Sequence, residues 1–305
     1  MSEFGVSFSI KQCRSFGVNP HKVLDWLITE GDFRRFRIMS YWNEHEKQPG
    51  KSDFKELDWQ LDRIAKAGGK VSLCLGARQP RWPENHWPDW AWTATKAERT
   101  AALLKYIETV VNRYKNHPTL ASYQLENEAL FKNFGERPEI DIPRLKQELA
   151  LIHKLDPTHP VIMSVSDQRG IPLRKPTPDI VGFSYYHRLY GNGRYRNAHH
   201  YWWWHWVRAR AIRALKRRPT FIHELQLEPW GSKAIWEMNL EEQDKSASPA
   251  RLKRNIQLAR KTSLNPIDLW GGEWWYWRLH VKHDPSIWEA VKEALSHTGE
   301  SATGR

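Results

Sequence analysis

Two short stretches carry the carboxylates that can do chemistry. Residues 122–131 read SYQLENEALF, with Glu126, Asn127 and Glu128 directly after an apolar, strand-like run. Residues 219–229 read PTFIHELQLEP, with Glu224 at the end of a second such run. Asparagine has poor strand propensity, so ENE reads as the place where a strand stops. A polar loop after a strand is the ordinary explanation for either stretch alone, and Asn-Glu recurs at Asn43-Glu44. Two carboxyls from different strand ends facing one cavity are another matter. They form the minimum apparatus for glycoside hydrolysis, one protonated to donate to the leaving oxygen and one ionised to attack the anomeric carbon. Glu126, Glu228 and Glu273 are the rival carboxylates.

Such a pair needs elements that hold it. Short β-rich runs fall at 4–10, 33–39, 70–76, 119–125, 160–165, 179–186, 219–224 and 267–275, with helical spacing between them. Helix starts are marked by Asn19-Pro20, the Thr95/Glu98 capping-box spacing, Pro143, Ser248-Pro249 and Asp284-Pro285. Eight β-then-α units predict an α/β fold, a single (β/α)8 TIM barrel over residues 1–296 with a disordered tail at 297–305. The fifth unit departs: SDQRGIPLRKPTP is proline-rich and predicts a degenerate fifth helix. No glycine-rich phosphate fingerprint follows the first strand, where Phe8-Ser9-Ile10-Lys11 stands, which argues against a dinucleotide fold. In a barrel of this kind chemistry sits at the C-terminal strand ends, where Glu128 and Glu224 fall.

Composition bounds the partners. The 305 residues carry a formal net charge of +12 and 18 tryptophans, far more indole than a core requires. Trp82, Trp87, Trp90 and Trp92 follow strand three, Trp202, Trp203, Trp204 and Trp206 follow strand six, and Trp230 and Trp236 follow strand seven. Trp87 and Trp203 represent a rim able to stack sugar rings in an extended cleft. The basic charge fits an acidic or negatively decorated glycan. A nucleic-acid binder would also use charge and aromatics, but no recognisable module is present and the carboxylate pair would go unexplained. The stretch YWWWHWVRARAIRALKRR, 201–218, has membrane-surface character, yet Ala211, Ile212 and Leu215 give it an ordinary packing stripe. No apolar run reaches membrane-span length, and the N-terminus lacks a leader pattern. The expectation is a cytoplasmic chain, or an extracellular one if a leader once preceded it. Cys13 and Cys74 lack metal-ligand spacing and read as free thiols.

With these motifs in place the chain resembles the clan A glycoside hydrolases, the retaining (β/α)8 group that includes cellulases, β-mannanases and β-galactosidases. The resemblance implies Glu128 as acid/base, Asn127 at the sugar 2-hydroxyl and Glu224 as nucleophile. It implies Arg37, in FRIMSYW, at the end of strand two. A strand-six tyrosine orienting the nucleophile falls on Tyr186 in DIVGFSYY, with Tyr185 the second candidate. A strand-eight tryptophan falls on Trp275 or Trp277 in GGEWWYW. The implied enzyme is a monomer without metal or organic cofactor, endo-acting on a β-linked oligo- or polysaccharide, or exo-acting as the runner-up.

Overall fold

The structure, a computed structural model, describes residues 2–131, 134–137, 139–165, 176–198 and 201–296. Strands β1 (Phe4–Phe8), β2 (Arg35–Met39), β3 (Lys70–Leu75), β4 (Leu120–Leu125), β5 (Val161–Val165) and β6 (Ile180–Tyr185) run parallel around a barrel. A hairpin follows β6, formed by β7 (Arg188–Gly191) and β8 (Arg194–Asn197). Strands β9 (Thr220–Gln226) and β10 (Ile267–Trp270) then close the barrel onto β1. This is the (β/α)8 fold that the alternation predicts. The hairpin is an addition that no periodicity signalled.

Helices α1 (Ile10–Ser15), α2 (Pro20–Thr29), α3 (Trp42–His45), α4 (Lys55–Lys66), α5 (Lys96–Tyr114) and α6 (Ile142–Leu155) lie in the first half of the chain. Helices α7 (Trp202–Lys216), α8 (Leu240–Ala247), α9 (Pro249–Lys261), α10 (Gly272–His280) and α11 (Ser286–Ser296) lie in the second. Their starts follow local chemistry. Asn19 Oδ1 accepts the His21 N–H at 2.8 Å with Pro20 at the first helical position. Thr95 and Glu98 cap each other at the head of α5, as their spacing predicts. Helix α4 buries Leu57, Leu61 and Ile64, one stripe at helical spacing. Each such side chain contributes roughly 1.5–3 kcal/mol on leaving water. A charged residue at Leu61 would break that contact with the barrel.

Several boundaries differ from the sequence reading. The eighth strand stops at Trp270, because Gly271 turns to φ +140° and residues 272–280 form α10. The first strand stops at Phe8, and Ser9 caps α1 by accepting the Gln12 N–H. On α7 the buried stripe is His205, Arg208, Ala209 and Ile212, whereas Leu215 is 63% exposed. Residues 166–175, where the degenerate helix was expected, and the tail at 297–305 lie outside the described residues. Among the described residues no helix is long and apolar enough to cross a membrane.

One irregularity matters for the site. Along β9, Ile222 pairs with Phe183 while Glu224 pairs with Ser184, so His223 is an extra residue in the ladder. Strict alternation would send His223 and Glu224 to opposite faces of the sheet. The bulge lets both side chains reach partners inside the barrel.

Candidate active site

Arg37 is the hub. It is fully buried on β2 and its guanidinium spans the barrel mouth. Its Nε donates to Gln124 Oε1 at 2.6 Å, Nη1 to Glu224 Oε2 at 3.0 Å, and Nη2 to Asn127 Oδ1 at 3.0 Å. One rigid fork therefore fixes the ends of β4 and β9 relative to each other. Beneath it, His223 Nδ1 lies 2.8 Å from Asp268 Oδ2 and its Nε2 lies 3.0 Å from Gln124 Oε1. Arg35 Nε closes this line by donating to Asp268 Oδ1 at 2.7 Å. Burial, then the nearby charge of Arg37, pushes the His223 imidazole down to about 4.

Glu224 is held at both oxygens. Arg37 takes Oε2, and the Tyr186 hydroxyl donates to Oε1. Burial and the Glu224 charge hold the Tyr186 phenol well above its usual range, so it stays a proton donor. Tyr185, the other candidate, packs instead against His187 and His205 at 4.3 and 4.2 Å between ring centroids.

Glu128 has a different environment. Its one described side-chain hydrogen bond is from Ser184 Oγ, 2.9 Å from Oε1, and its backbone N–H donates to Ser164 Oγ at 2.8 Å. Burial, followed by the charge of Glu224, pushes the Glu128 carboxyl up to about 7. The backbone accommodates the crowding in ENE. Glu126 and Glu128 both adopt left-handed backbone, at φ +44° and +49°. Such positions cost on the order of 1–3 kcal/mol each and concentrate at functional sites. Glu126 turns away to accept the backbone N–H groups of Ala77 at 3.1 Å and Arg78 at 2.6 Å. It braces the loop after β3, and a side chain at Gly76 would strike its carboxyl.

Asn127 is heavily engaged. Its Oδ1 accepts from Arg37, from Gln124 Nε2 at 3.1 Å and from Ser164 Oγ at 3.1 Å, while Nδ2 donates to Glu84 at 2.8 Å. Glu84 thus brings a third carboxyl beside the pair. Burial and the Glu128 charge hold it well above the carboxylate range.

A family model described as beta-galactosidase, Glyco_hydro_42, matches residues 29–138 of the chain. That span carries Arg37, Glu84, Asn127 and Glu128. The match ties this part of the chain to a glycoside hydrolase family. No curated protein matches the chain in sequence. Its fold is shared with a GH5_18 protein from Streptomyces cattleya in complex with GlcNAc, at 12% identity, covering 98% of this chain and 81% of that one, with a TM-score of 0.65. It is shared with xylanase 10B from Thermotoga maritima, at 14% identity, coverage of 96% and 94%, and a TM-score of 0.62. It is also shared with an exo-beta-1,4-mannosidase from Opitutaceae bacterium strain TAV5, at 16% identity and a TM-score of 0.61. The chain spans 98% of itself but 60% of that mannosidase.

The tryptophans of the chain fall into two groups, and the expected members are partly misplaced. Trp275 and Trp277 lie on α10 rather than on the eighth strand. Trp275 packs near Phe33 and Trp288 and donates to the Leu227 carbonyl at 2.8 Å, while Trp277 stacks on Phe16. The strand-eight indole near the pair is Trp270, 5.8 Å from the Arg37 guanidinium. Trp87 is only 5% exposed and fills a cluster with Trp42 and Trp92, so it is a packing residue rather than a rim contact. Trp203 is 48% exposed and stacks on Tyr201. A row of rings runs outward from Tyr186 through Trp230 and Phe134 to Trp82, which is 61% exposed. Trp270, Glu84 and Gln124 are the site residues that sequence reasoning missed; the Gly271-Gly272 pair was the available signal for the first.

Proposed function

We propose that this glycosidase cleaves β-glycosidic bonds with retention, by double displacement between Glu224 as nucleophile and Glu128 as acid/base. The observation that carries the reading is the contrast between the two carboxyls. Glu224 is gripped by the Arg37 guanidinium at Oε2 and the Tyr186 hydroxyl at Oε1, whereas Glu128 is buried with its carboxyl raised to about 7. One group is fitted to attack and the other to donate a proton near neutrality. In the first step Glu224 bonds to the anomeric carbon as Glu128 protonates the departing oxygen. In the second, Glu128 takes a proton from water, which displaces Glu224. Tyr186 and Arg37 keep the attacking carboxylate aimed, and Asn127 Nδ2 retains one N–H for the sugar 2-hydroxyl.

The row from Tyr186 to Trp82 supports an endo-acting enzyme on a β-linked polysaccharide, because successive rings offer successive stacking places. The exo reading draws on the loops after β3 and β4, which are tied together over one side of the mouth. There Asn85 Nδ2 donates to the carbonyls of Glu136 and Arg137, and Glu136 N–H to that of Pro83. A panel of β-linked glycans, with product sizes and the first-formed anomer recorded, tests both. The endo reading expects mixed internal fragments released as β-anomers. Release of single sugars alone would select the exo reading, and a first-formed α-anomer would overturn the mechanism.

A further inference from the structure

The chain between Ile180 and His223 holds nine arginines and lysines and no aspartate or glutamate, so most of the net charge of +12 is gathered into one stretch. It folds as β6, the hairpin β7–β8, helix α7 and the start of β9. Its root sits at the candidate pair, where Ser184 donates to Glu128 and Tyr186 to Glu224. The backbone N–H groups of His187 and Arg188 then donate to Gln226 Oε1 at 2.8 and 3.0 Å, which pins the hairpin two residues beyond Glu224 on β9. Helix α7 begins at the same level. His205, in its first turn, packs on Tyr185 at the end of β6 with 4.2 Å between ring centroids.

Tyr201, Trp202, Trp203 and Trp206 are exposed at this end of α7. The Arg210 guanidinium lies 4.0 Å from the Trp206 ring centroid. Trp203, Trp206, Arg210 and Arg213 recur at helical spacing, so indoles lead into arginines along one outward face. Arg194 and Arg196 on the hairpin and Arg217 after the helix are exposed as well. Among the described residues none of these five arginines pairs with a carboxylate, whereas Arg218 lies 3.6 Å from Asp179. Arg208 is buried over Phe183 and belongs to the packing. Glu242, which accepts from the hairpin's Tyr195 at 2.6 Å, is already held by Lys245 at 2.6 Å. Like charges also crowd at the hairpin: burial, then the charges of Arg188 and Arg254, draw the Arg251 guanidinium below its usual value.

Like charges on one face repel one another, and a polyanion laid across them relieves that repulsion. Eight of the nine cations are arginines, whose planar fork fits a planar carboxylate at two points. Exposed indoles offer flat faces on which sugar rings stack. A membrane surface suits this face less well. An interfacial helix buries a broad apolar face in the bilayer, but α7 turns Ala209 and Ile212 onto the barrel. Apart from Leu215, its outward side beyond Val207 is cationic or small. We propose that the segment between β6 and β9 is a docking surface for a carboxylate-bearing polysaccharide, which runs from the catalytic mouth over the indoles of α7 and onto its arginines. The proposal rests on the glycosidase reading above and names its substrate class, an acidic glycan.

The test compares the full-length wild type with Arg210→Gln/Arg213→Gln/Arg217→Gln on three β-linked probes: carboxymethyl cellulose, cellulose sulfate and neutral hydroxyethyl cellulose. Wild type should bind the carboxymethyl polymer most tightly, and less tightly as salt rises. The triple variant should lose about 3–100-fold in that affinity, the combined effect of three exposed ion pairs, with binding to the neutral polymer unchanged. Trp203→Ala should weaken binding to both polymers. A charge-matched control on α4 and α5, Lys55→Gln/Lys66→Gln/Lys105→Gln, should bind like wild type. An equal loss in the control would mean that diffuse charge alone attracts the polymer, and would overturn the inference. Preference for cellulose sulfate would overturn it too, as would binding to phosphatidylserine vesicles or single-stranded DNA with none to carboxymethyl cellulose. A wild type that binds the carboxymethyl polymer in the expected pattern yet cleaves no β-glycoside would sustain the surface and remove the mechanism.

Discussion

Tyr186 donates its hydroxyl proton to Oε1 of Glu224, the carboxylate oxygen that Arg37 leaves free. The carboxylate is thereby fixed in rotation by two donors from different strand ends. Removing the phenol hydroxyl should loosen it without disturbing how substrate enters. Tyr186→Phe is expected to lower kcat by about 10–100-fold, the worth of one hydrogen bond to a charged group, with little change in KM. Steady-state kinetics on an aryl β-glycoside measure this. A change in KM alone would place Tyr186 in substrate binding.

The Glu128 carboxyl supplies a pH prediction in two forms. Its folded pKa is raised to about 7, with burial the larger cause and Glu224 the second. Its favourable contribution to stability is therefore full below the unfolded value near 4.5 and disappears as pH rises through about 7. Glu128→Gln, which cannot ionise, should melt higher than wild type at about pH 8 and show no such advantage at about pH 4. Thermal melts across that range should show the difference growing with pH; a constant difference would contradict the assignment. In wild type the same ionisation should appear as an alkaline fall in activity near neutrality.

Glu126 provides the contrast within ENE. It accepts two backbone N–H groups from the loop after β3, so removing it strands both. Glu126→Ala is expected to cost about 1–3 kcal/mol in denaturant unfolding while remaining a working enzyme at low temperature. Full stability with abolished chemistry would make Glu126 the acid/base in place of Glu128.

The tryptophans separate by burial. Trp87→Ala should destabilise the protein by about 3–5 kcal/mol and reduce activity on polymer and aryl glycoside alike. Trp82→Ala, at the outer end of the aromatic row, should weaken polymer hydrolysis and leave the aryl glycoside nearly untouched. Trp203→Ala, also exposed, makes the same separation possible for the segment after β6. Comparable losses on both substrates would remove Trp82 from the cleft.

The end of β4 is legible because its apolar run stops at Leu125-Glu126, whereas β9 runs on past Glu224 to Gln226, where Leu225 continues the strand. The eight-unit alternation sufficed for the barrel, since buried parallel strands read as continuous apolar runs. The eighth strand was misread because WWYW has high β-propensity, and the Gly271 turn overrides it. The bulge at His223 leaves no periodic trace. Arg81 and Glu84 owe their positions to left-handed backbone at φ +86° and +71° in a loop, which neither propensity nor spacing encodes. Trp87 was placed correctly after strand three, but only the packing of Trp42 and Trp92 reveals that it points inward.

The most direct measurement is azide rescue on an aryl β-glycoside with a good leaving group, with the product anomer read by NMR. Such a substrate needs little acid help to form the glycosyl-enzyme, but hydrolysis of that intermediate needs a base. Glu128→Ala should therefore stall at the intermediate, and azide should restore turnover by attacking from the face Glu128 served. The product should be the β-azide. Glu224→Ala has no nucleophile, so azide can only attack the substrate itself and should give the inverted α-azide. A β-azide from Glu126→Ala with Glu128→Ala still active would shift the acid/base by two residues. If both Glu128→Ala and Glu224→Ala remain active and azide changes nothing, the two-glutamate mechanism is contradicted.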